Sequence, residues 1–352
     1  MSIDFGRPVR GLRTRWFSGR LDLRVLAVSA VLFLAAVLLA TVALTHGDYP
    51  LTLHQVFAAL AGGGDDPFQH TVVIRWRLPI AVAAVVFGAL LGIGGAIFQS
   101  LTRNPLGSPD VIGFDAGSYT AVVVAILLFG TGDYWTVAAA AVAGGLATAL
   151  VVYLLAYRRG VQGFRLIIVG IGVSAMLGSA NAYLISRARI EDAMTVGFWG
   201  AGSITRVSWP PMVPALLAAA AIGTAAVLLT PALRRLELGD DAAGTLGTRP
   251  TAARLALIVT GVATVAVVTA TAGPVGFVAL AAPQLARRLT RSAGVSLLAA
   301  AAMGAALLAG AHLLSLLIAQ AYRPVPVGLI TVCLGGLYLI QLLIRETRRR
   351  TT

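Results

Sequence analysis

Residues 101–118 read LTRNPLGSPDVIGFDAGS and separate two membrane-length apolar runs of this chain. The stretch contains two prolines and three glycines and has a charge near each end, so no regular helix can continue through it. In a bilayer, backbone amides and carbonyls must find hydrogen-bond partners inside the protein. We therefore expect this irregular segment to be shielded by neighbouring helices or to line a watery path.

The composition indicates a membrane protein. Hydrophobic residues make up 58% of the 352 positions and the mean hydropathy is +0.87, well above an ordinary soluble domain. All 27 basic residues are arginine, which excludes a Walker A phosphate loop and Schiff-base chemistry, because both need lysine. If ATP drives this protein, ATP and Mg²⁺ must be bound by another chain, and no cofactor is expected here. The single cysteine, Cys333, lies in an apolar run and is predicted to be a small buried side chain.

Apolar runs of at least about 17 residues predict ten membrane-spanning helices and an all-α polytopic fold. The predicted spans are approximately residues 24–46, 77–100, 110–130, 134–157, 163–187, 209–230, 252–272, 274–290, 294–320 and 325–345. The first run, Val25–Leu44, is longer than the apolar part of a secretory signal, so we expect it to be retained. Residues 24–345 then form a single membrane domain, with an arginine-rich tail at 1–23 and a short tail at 346–352.

The arginines indicate the orientation of the spans. With ten alternating spans and a cytoplasmic N-terminus, 21 of the 27 arginines fall on the inner side. The six on the outer side are Arg75, Arg77, Arg187, Arg189, Arg206 and Arg323. This asymmetry follows the positive-inside rule, so both tails are predicted to be cytoplasmic. The net charge of +13 is thus a topology signal, and no nucleic-acid partner is expected.

A second irregular segment, GPVGF at 273–277, separates the seventh and eighth predicted spans. Each irregular segment is either an ordinary turn or part of a gate. If the segments form a gate, the residues that line the translocation path are Asn104, Pro105, Asp115, Gly273, Pro274 and Gly276. Asp115 favours a gate, because placing an acidic side chain within a membrane span costs free energy and such residues are usually functional. It could instead lie at the inner interface, satisfied by backbone amides.

The longest inner connection, residues 230–254, reads TPALRRLELGDDAAGTLGTRPTAAR, and we call it the elbow. Its apolar residues predict two short amphipathic helices split by Gly239. The apolar faces would hold Leu233, Leu236 and Leu238, then Ala242, Ala243 and Leu246, with Arg234, Arg235, Glu237, Asp240 and Asp241 exposed. Such a charged elbow is either a docking surface for a soluble partner or a solvated loop.

Four blocks of the chain resemble one known family. They are RLPIAVAAVVFGALLGIGGAIFQSLTRNPLGSPDVIG at 77–113, LGDDAAGTLG at 238–247, GPVGFVALAAPQLAR at 273–287 and PVPVGLITVCLGGLYLIQLL at 324–343. In this order they are similar to the FecCD family of ABC-transporter permeases, which import ferric siderophores, haem or cobalamin. The resemblance covers residues 70 to 345, nearly the whole chain.

The resemblance implies a type II ABC importer permease fold in a bacterial inner membrane. It implies a second permease subunit, either an identical copy or a paralogue, with the translocation path between the two. Two cytoplasmic ATPases would dock on the elbow, and an outer solute-binding protein would deliver the chelate.

Site residues follow from the same resemblance. The ATPase contact falls on Leu238, Gly239, Asp240, Asp241, Ala242, Leu246 and Gly247. Arg77 matches an outer-facing arginine of the family, at a position where the solute-binding protein presents acidic residues. Arg75 and Arg323 join this docking set by topology alone.

The cargo implied by the resemblance is a ferric siderophore. The sequence NPLGSPDVIGF at 104–114 is more similar to the catecholate-siderophore branch of the family than to the cobalamin branch. Haem and cobalamin remain the alternative cargoes. One departure is Gln284, which stands where many relatives have a histidine that could titrate near neutral pH. Because tight binding would oppose release, we expect a wide path lined by small, weakly polar side chains.

Other functional classes fit less well. The outer histidines and acids, His46, Asp48, His54, Asp65, Asp66 and His70, show no recognised metal-ligand spacing, so no metal site is expected. An intramembrane enzyme would need a cluster of titratable groups, whereas Asp115 and His312 stand apart, and His312 is predicted to be packed and hydrogen-bonded. An ion-coupled secondary transporter is the remaining alternative, although such carriers need membrane-embedded charges that this chain nearly lacks.

Overall fold

The computed structural model describes residues 9–13, 18–63, 66–110, 113–157, 163–292 and 294–351. Two strands, β1 (Val9–Arg13) and β2 (Ser18–Asp22), come first. The helices are α1 (Leu23–Ala43), α2 (Leu53–Leu60), α3 (Pro67–His70), α4 (Leu78–Thr102), α5 (Phe114–Leu127), α6 (Tyr134–Ala156), α7 (Gly163–Ser186), α8 (Ile190–Gly200), α9 (Trp209–Glu237), α10 (Asp240–Thr245), α11 (Pro250–Ala272), α12 (Val278–Thr290), α13 (Leu297–Ala321) and α14 (Val327–Thr351). A π-helical turn, Thr71–Arg77, joins α3 to α4.

Within these ranges, seven continuous helical segments are long and apolar enough to cross a membrane. They are α1, the segment Pro67–Thr102 that ends with α4, then α6, Phe164–Ser186 of α7, α9, α11 and α13. α5 and the Val327–Gln341 part of α14 are shorter apolar helices, and α12 has 13 residues. The nearly all-helical membrane fold is thus confirmed. A helix lies in each of the ten predicted ranges, but the count of ten crossings stays a prediction.

Four predicted boundaries were wrong by four residues or more: α5 begins at Phe114 and not at 110, α14 continues to Thr351 beyond 345, and α9 and α12 also differ. α9 continues to Glu237, beyond the predicted end at 230 and through Pro231, because Leu233 and Leu236 are buried and their packing outweighs the unfavourable proline inside the helix. α12 begins at Val278, beyond the predicted start at 274, because the preceding residue Phe277 has a φ of 70° and cannot be helical. The short helix α8 was not predicted.

The two strands depart from the all-α prediction. They form an antiparallel hairpin in which Val9 lies opposite Asp22 and Arg13 lies opposite Ser18. A scan for membrane-length apolar runs cannot detect strands of five residues. Asp22 also starts α1, because its Oδ1 accepts hydrogen bonds from the backbone amides of Arg24 at 3.0 Å and Val25 at 3.3 Å.

α4 lies at the centre of the bundle and packs against α9, α11, α12 and α13. Gly88 and Gly92 face the backbone of Gly304 and Ala300 on α13, and a Cβ at either glycine would collide with a carbonyl oxygen there. Gly95 faces a backbone carbonyl of α12 in the same way. Small residues therefore allow direct backbone contact, which fixes α12 and α13 relative to α4.

Candidate functional site

The elbow contains the last turns of α9, the short helix α10 and the first turn of α11. Leu233 and Leu236 are buried, as the pattern predicts, in an apolar cluster with side chains of α4 and α11. This anchor holds the elbow against the central helix of the bundle.

Leu238 and Leu246 were predicted on the same apolar faces, and this was wrong. Their side chains are 67% and 53% exposed. Gly239 has a φ of 114°, which favours glycine and interrupts the helix, so the residues beyond Leu236 no longer follow the buried face of α9. The elbow therefore presents two leucines to its surroundings among charged side chains.

The charged side chains of the elbow are partly paired with one another. Four of the five predicted to be exposed are exposed, namely Arg234, Arg235, Asp240 and Asp241. Arg254 forms a salt bridge with Asp240, with 2.8 Å between Nη2 and Oδ1, and this links α11 to the first turn of α10. Asp241 has no ion pair among the described residues, so its carboxylate is available to a partner.

Glu237 was predicted to be exposed, and this was wrong. The Ser100 hydroxyl at the end of α4 donates to Glu237 Oε1 at 2.7 Å. Beside it, Arg103 Nη2 donates to the backbone carbonyl of Leu236 at 3.1 Å. The elbow is therefore bonded to the chain that leaves α4.

The α4–α5 connection, residues 103–113, is bonded in turn to α12. Gln284 Nε2 donates to the Pro105 carbonyl at 2.8 Å, and Gln99 Nε2 of α4 donates to the Leu280 carbonyl at 2.8 Å. The Tyr338 hydroxyl of α14 donates to Gln284 Oε1 at 3.2 Å. These bonds join the first irregular segment to α12 and α14.

The two irregular segments predicted from the sequence also meet each other. Asp110 lies against the backbone amide of Phe277, and Asp115 Oδ1 accepts a hydrogen bond from the Thr269 hydroxyl at 3.2 Å. Thr269 lies one helical turn before Gly273. Gly273 has a φ of 72°, which favours glycine, and a Cβ at this residue would collide with the Trp199 carbonyl. Asp115 is therefore bonded to a neighbouring helix, and its role in the path stays a prediction.

The remaining predicted path residues lie at joints between helices. Asn104 Oδ1 accepts from the backbone amide of Leu106 at 2.9 Å, which closes a tight turn around Pro105. Pro274 and Gly276 follow Gly273 in the segment that separates α11 from α12. Their assignment to the path also stays a prediction.

The three predicted docking arginines differ in their surroundings. Arg75 and Arg323 are exposed. Arg77 is half-buried and donates to the carbonyls of Leu44 at 2.8 Å and Tyr49 at 2.6 Å, so it ties the end of α1 to the start of α4. Docking by any of them stays a prediction, and for Arg77 the structure adds an internal role.

α7 and α14 each leave one face largely uncovered. On α7 the exposed residues include the small Gly172, Ala175, Gly178, Ser179 and Ala180, and also the large Phe164, Ile168, Ile171, Met176 and Tyr183. On α14 Cys333 is exposed, so its predicted burial was wrong. A continuous apolar sequence does not show which face of the helix a neighbouring helix covers. The exposed faces of α7 and α14 thus combine small and large apolar side chains, and the expected lining of the path stays a prediction.

His312 is buried, as predicted, but its Nδ1 has no hydrogen-bond partner in the described part of the chain. It lines a cavity of about 250 Å³ together with Asp48 and Arg77. No group of three metal-ligating side chains is found within the described ranges.

Sequence reasoning missed the bonds made by Gln99, Ser100 and Glu237. The available signal was the presence of polar side chains at the end of an apolar helix, where a buried polar group needs a partner. The sequence could not name those partners, since Ser100 and Glu237 are 137 residues apart.

Comparisons with known proteins agree with this architecture. Residues 32–345 match the model of the FecCD transport family. The chain is 45% identical, over 93% of its length and 98% of the relative, to the ferric enterobactin transport system permease protein FepG of Escherichia coli (strain K12). It is 32% identical to FepD, a ferric enterobactin transport system permease protein of the same strain, over 76% of this chain and 79% of the relative.

A solved structure described as an inward-facing metal-chelate type ABC transporter has the same fold. The TM-score is 0.75 at 24% identity, over 92% of this chain and 99% of the other. With the family match covering most of the sequence, these findings show that the chain belongs to the FecCD transport family.

Proposed function

We propose that this chain is the transmembrane permease subunit of an ATP-driven importer that carries a ferric siderophore of the catecholate type across the bacterial inner membrane. The main support for this proposal is the 45% identity to a ferric enterobactin permease protein over 93% of this chain. The family match includes the elbow and both irregular segments, which are the parts expected to move.

The proposal includes ten membrane crossings with both tails in the cytoplasm. Seven long apolar helices, with the shorter α5, α12 and α14, provide ten segments in the predicted ranges. The arginine distribution supports this orientation, with 21 of 27 on the inner side. The elbow then faces the cytoplasm, where ATP is available.

The proposed ATPase contact is the exposed part of the elbow. Leu238 and Leu246 present apolar side chains on the same elbow as Asp241, whose carboxylate has no ion pair within the described ranges, and exposed apolar groups on a charged surface are typical of a docking site. Gly239, Asp240, Ala242 and Gly247 complete the set. The ATPase, with its ATP and Mg²⁺, would push on this surface from the inner side.

The second permease is proposed to cover the exposed faces of α7 and α14 and to share the path with them. Two different Escherichia coli proteins, FepG and FepD, carry the name of one transport system, which favours a paralogue over an identical copy. An outer solute-binding protein is proposed to dock near Arg75 and Arg323. Charge pairing there would steer docking and weaken with salt.

The gate is proposed to lie where the two irregular segments meet. Closure of the ATPases would shift the elbow, and the bonds from Glu237 and Leu236 to the end of α4 would pass this shift to the α4–α5 connection. Asn104, Pro105, Asp115, Gly273, Pro274 and Gly276 would change their positions between the two states.

Uptake in cells tests the proposed cargo. A strain lacking this chain should lose uptake of radio-iron-labelled ferric enterobactin and regain it when the chain is restored. Uptake of a ferric hydroxamate and of cobalamin serves as the control and should not change. If cobalamin or haem uptake were lost while ferric enterobactin uptake continued, the cargo assignment would be wrong.

A further inference from the structure

Gln284 occupies a junction that the proposed function does not assign. Its side chain is 9% exposed and lies in α12, one residue after Pro283. A proline inside a helix lacks the amide that would bond to the residue four positions earlier, so α12 is weakened at this point. Side chains from outside the helix must then keep it in one position.

The amide of Gln284 is fully engaged at this junction. Its Nε2 donates to the Pro105 carbonyl at 2.8 Å and to the Leu280 carbonyl at 3.2 Å. Its Oε1 accepts from the Tyr338 hydroxyl at 3.2 Å. One side chain thus joins the α4–α5 connection, α12 and α14.

The junction continues the line of bonds that begins at the elbow. Glu237 and Leu236 are bonded to Ser100 and Arg103, and Pro105 follows Arg103 by two residues. A shift of the elbow is therefore passed to the segment that contains Pro105. Gln284 of α12 is hydrogen-bonded to the Pro105 carbonyl. Through the Tyr338 hydroxyl, Gln284 is also hydrogen-bonded to α14.

We propose that Gln284 is a positioning residue of the transport cycle, which transmits movement of the elbow to α12 and α14. The inference rests on the proposed function, because it needs an ATPase acting on the elbow. It assigns no contact with the cargo. The amide side chain is suited to this role because it donates twice and accepts at the same time, whereas a neutral histidine can donate only once.

The experiment uses the reconstituted complex of both permeases, the ATPase and the solute-binding protein in liposomes. Gln284→Met keeps the length of the side chain but removes its donors and acceptor, and Gln284→His restores one donor. Tyr338→Phe removes only the hydroxyl at the other side of the junction. Gln69→Met, at a glutamine of α3 that lies outside the junction and outside the proposed sites, is the matched control.

The decisive quantity is the ferric siderophore transported per ATP hydrolysed. Gln284→Met should lower this ratio about tenfold, as expected for loss of a buried hydrogen-bond junction, while ATP hydrolysis stays within about twofold. Tyr338→Phe should lower the ratio about threefold, and Gln284→His should fall between wild type and Gln284→Met. The control should leave the ratio unchanged.

Two results would overturn the inference. One is an unchanged ratio in Gln284→Met or, if that variant does not assemble, in Tyr338→Phe. The other is a parallel fall of transport, ATP hydrolysis and unfolding temperature, because a merely structural residue would lower all three together.

A distance measurement separates this inference from the proposed function. Spin labels on α10 and α14 should change their separation when the wild-type complex is trapped with ATP and vanadate, and Gln284→Met should abolish the change. If the wild-type complex failed to transport ferric siderophore yet showed this distance change, the cargo would be wrong and the inference would stand. An equal change in Gln284→Met would contradict it.

Discussion

At the scale of single residues, the two adjacent aspartates of the elbow have different roles. Asp240 is bonded to Arg254 within the chain, at 2.8 Å. Asp241 is exposed and has no ion pair in the part of the chain that the structure describes. The sequence gives no reason to separate these neighbours, because the spacing to Arg254 does not show which carboxylate it meets.

Asp241→Arg should weaken ATPase binding without unfolding the permease. The change replaces an available carboxylate with a larger cationic side chain on a docking surface, and a lost charge contact across an interface costs about 1–3 kcal/mol. Co-purification of the ATPase should therefore fall about tenfold or more, while the unfolding temperature of the permease stays the same.

Glu191→Arg is the matched control for Asp241→Arg. Glu191 is also exposed, on α8, which lies on the proposed outer side. This control should leave ATPase co-purification unchanged. Equal loss in both variants would mean that the effect of Asp241→Arg is a general charge effect.

At the scale of helices, the sequence predicts where the helices lie along the chain, but it does not predict which helices contact each other. A run of about 20 apolar residues is required to span a bilayer, and proline and glycine mark where a helix stops, so the helices and both irregular segments could be predicted. The bond between Gln284 and Pro105 joins residues 179 apart, and nothing local encodes it. The exposure of Leu238, Leu246 and Cys333 likewise depends on which faces the neighbouring helices cover.

Gly92→Ala should destabilise the contact between α4 and α13. A Cβ at this position would collide with the Ala300 carbonyl, so the helices must separate, and overpacking of this kind costs about 1–3 kcal/mol. The unfolding temperature of the purified permease should fall accordingly.

Gly223→Ala, in α9, provides the control for this helix contact. A Cβ at Gly223 meets nothing within 4 Å, so this change should be neutral or stabilising by about 0.5–1 kcal/mol. If Gly92→Ala were no less stable than Gly223→Ala, α4 and α13 would not pack as closely as described.

At the scale of the whole molecule, the elbow and Arg323 are expected to lie on opposite sides of the membrane. Single cysteines at Asp241 and Arg323, in a Cys333→Ser background, test this with a membrane-impermeant maleimide. In spheroplasts the Arg323→Cys variant should react, and the Asp241→Cys variant should react only after permeabilisation. Reaction of both without permeabilisation would contradict the proposed orientation.

This chain is proposed to be a passive gate that is driven by another subunit's ATP hydrolysis. The most direct measurement is uptake of ferric siderophore by liposomes that contain both permeases and the solute-binding protein, with and without the ATPase. Uptake is expected only when ATPase and ATP are both present, and Asp241→Arg should abolish it. Uptake driven by an ion gradient without the ATPase would contradict it.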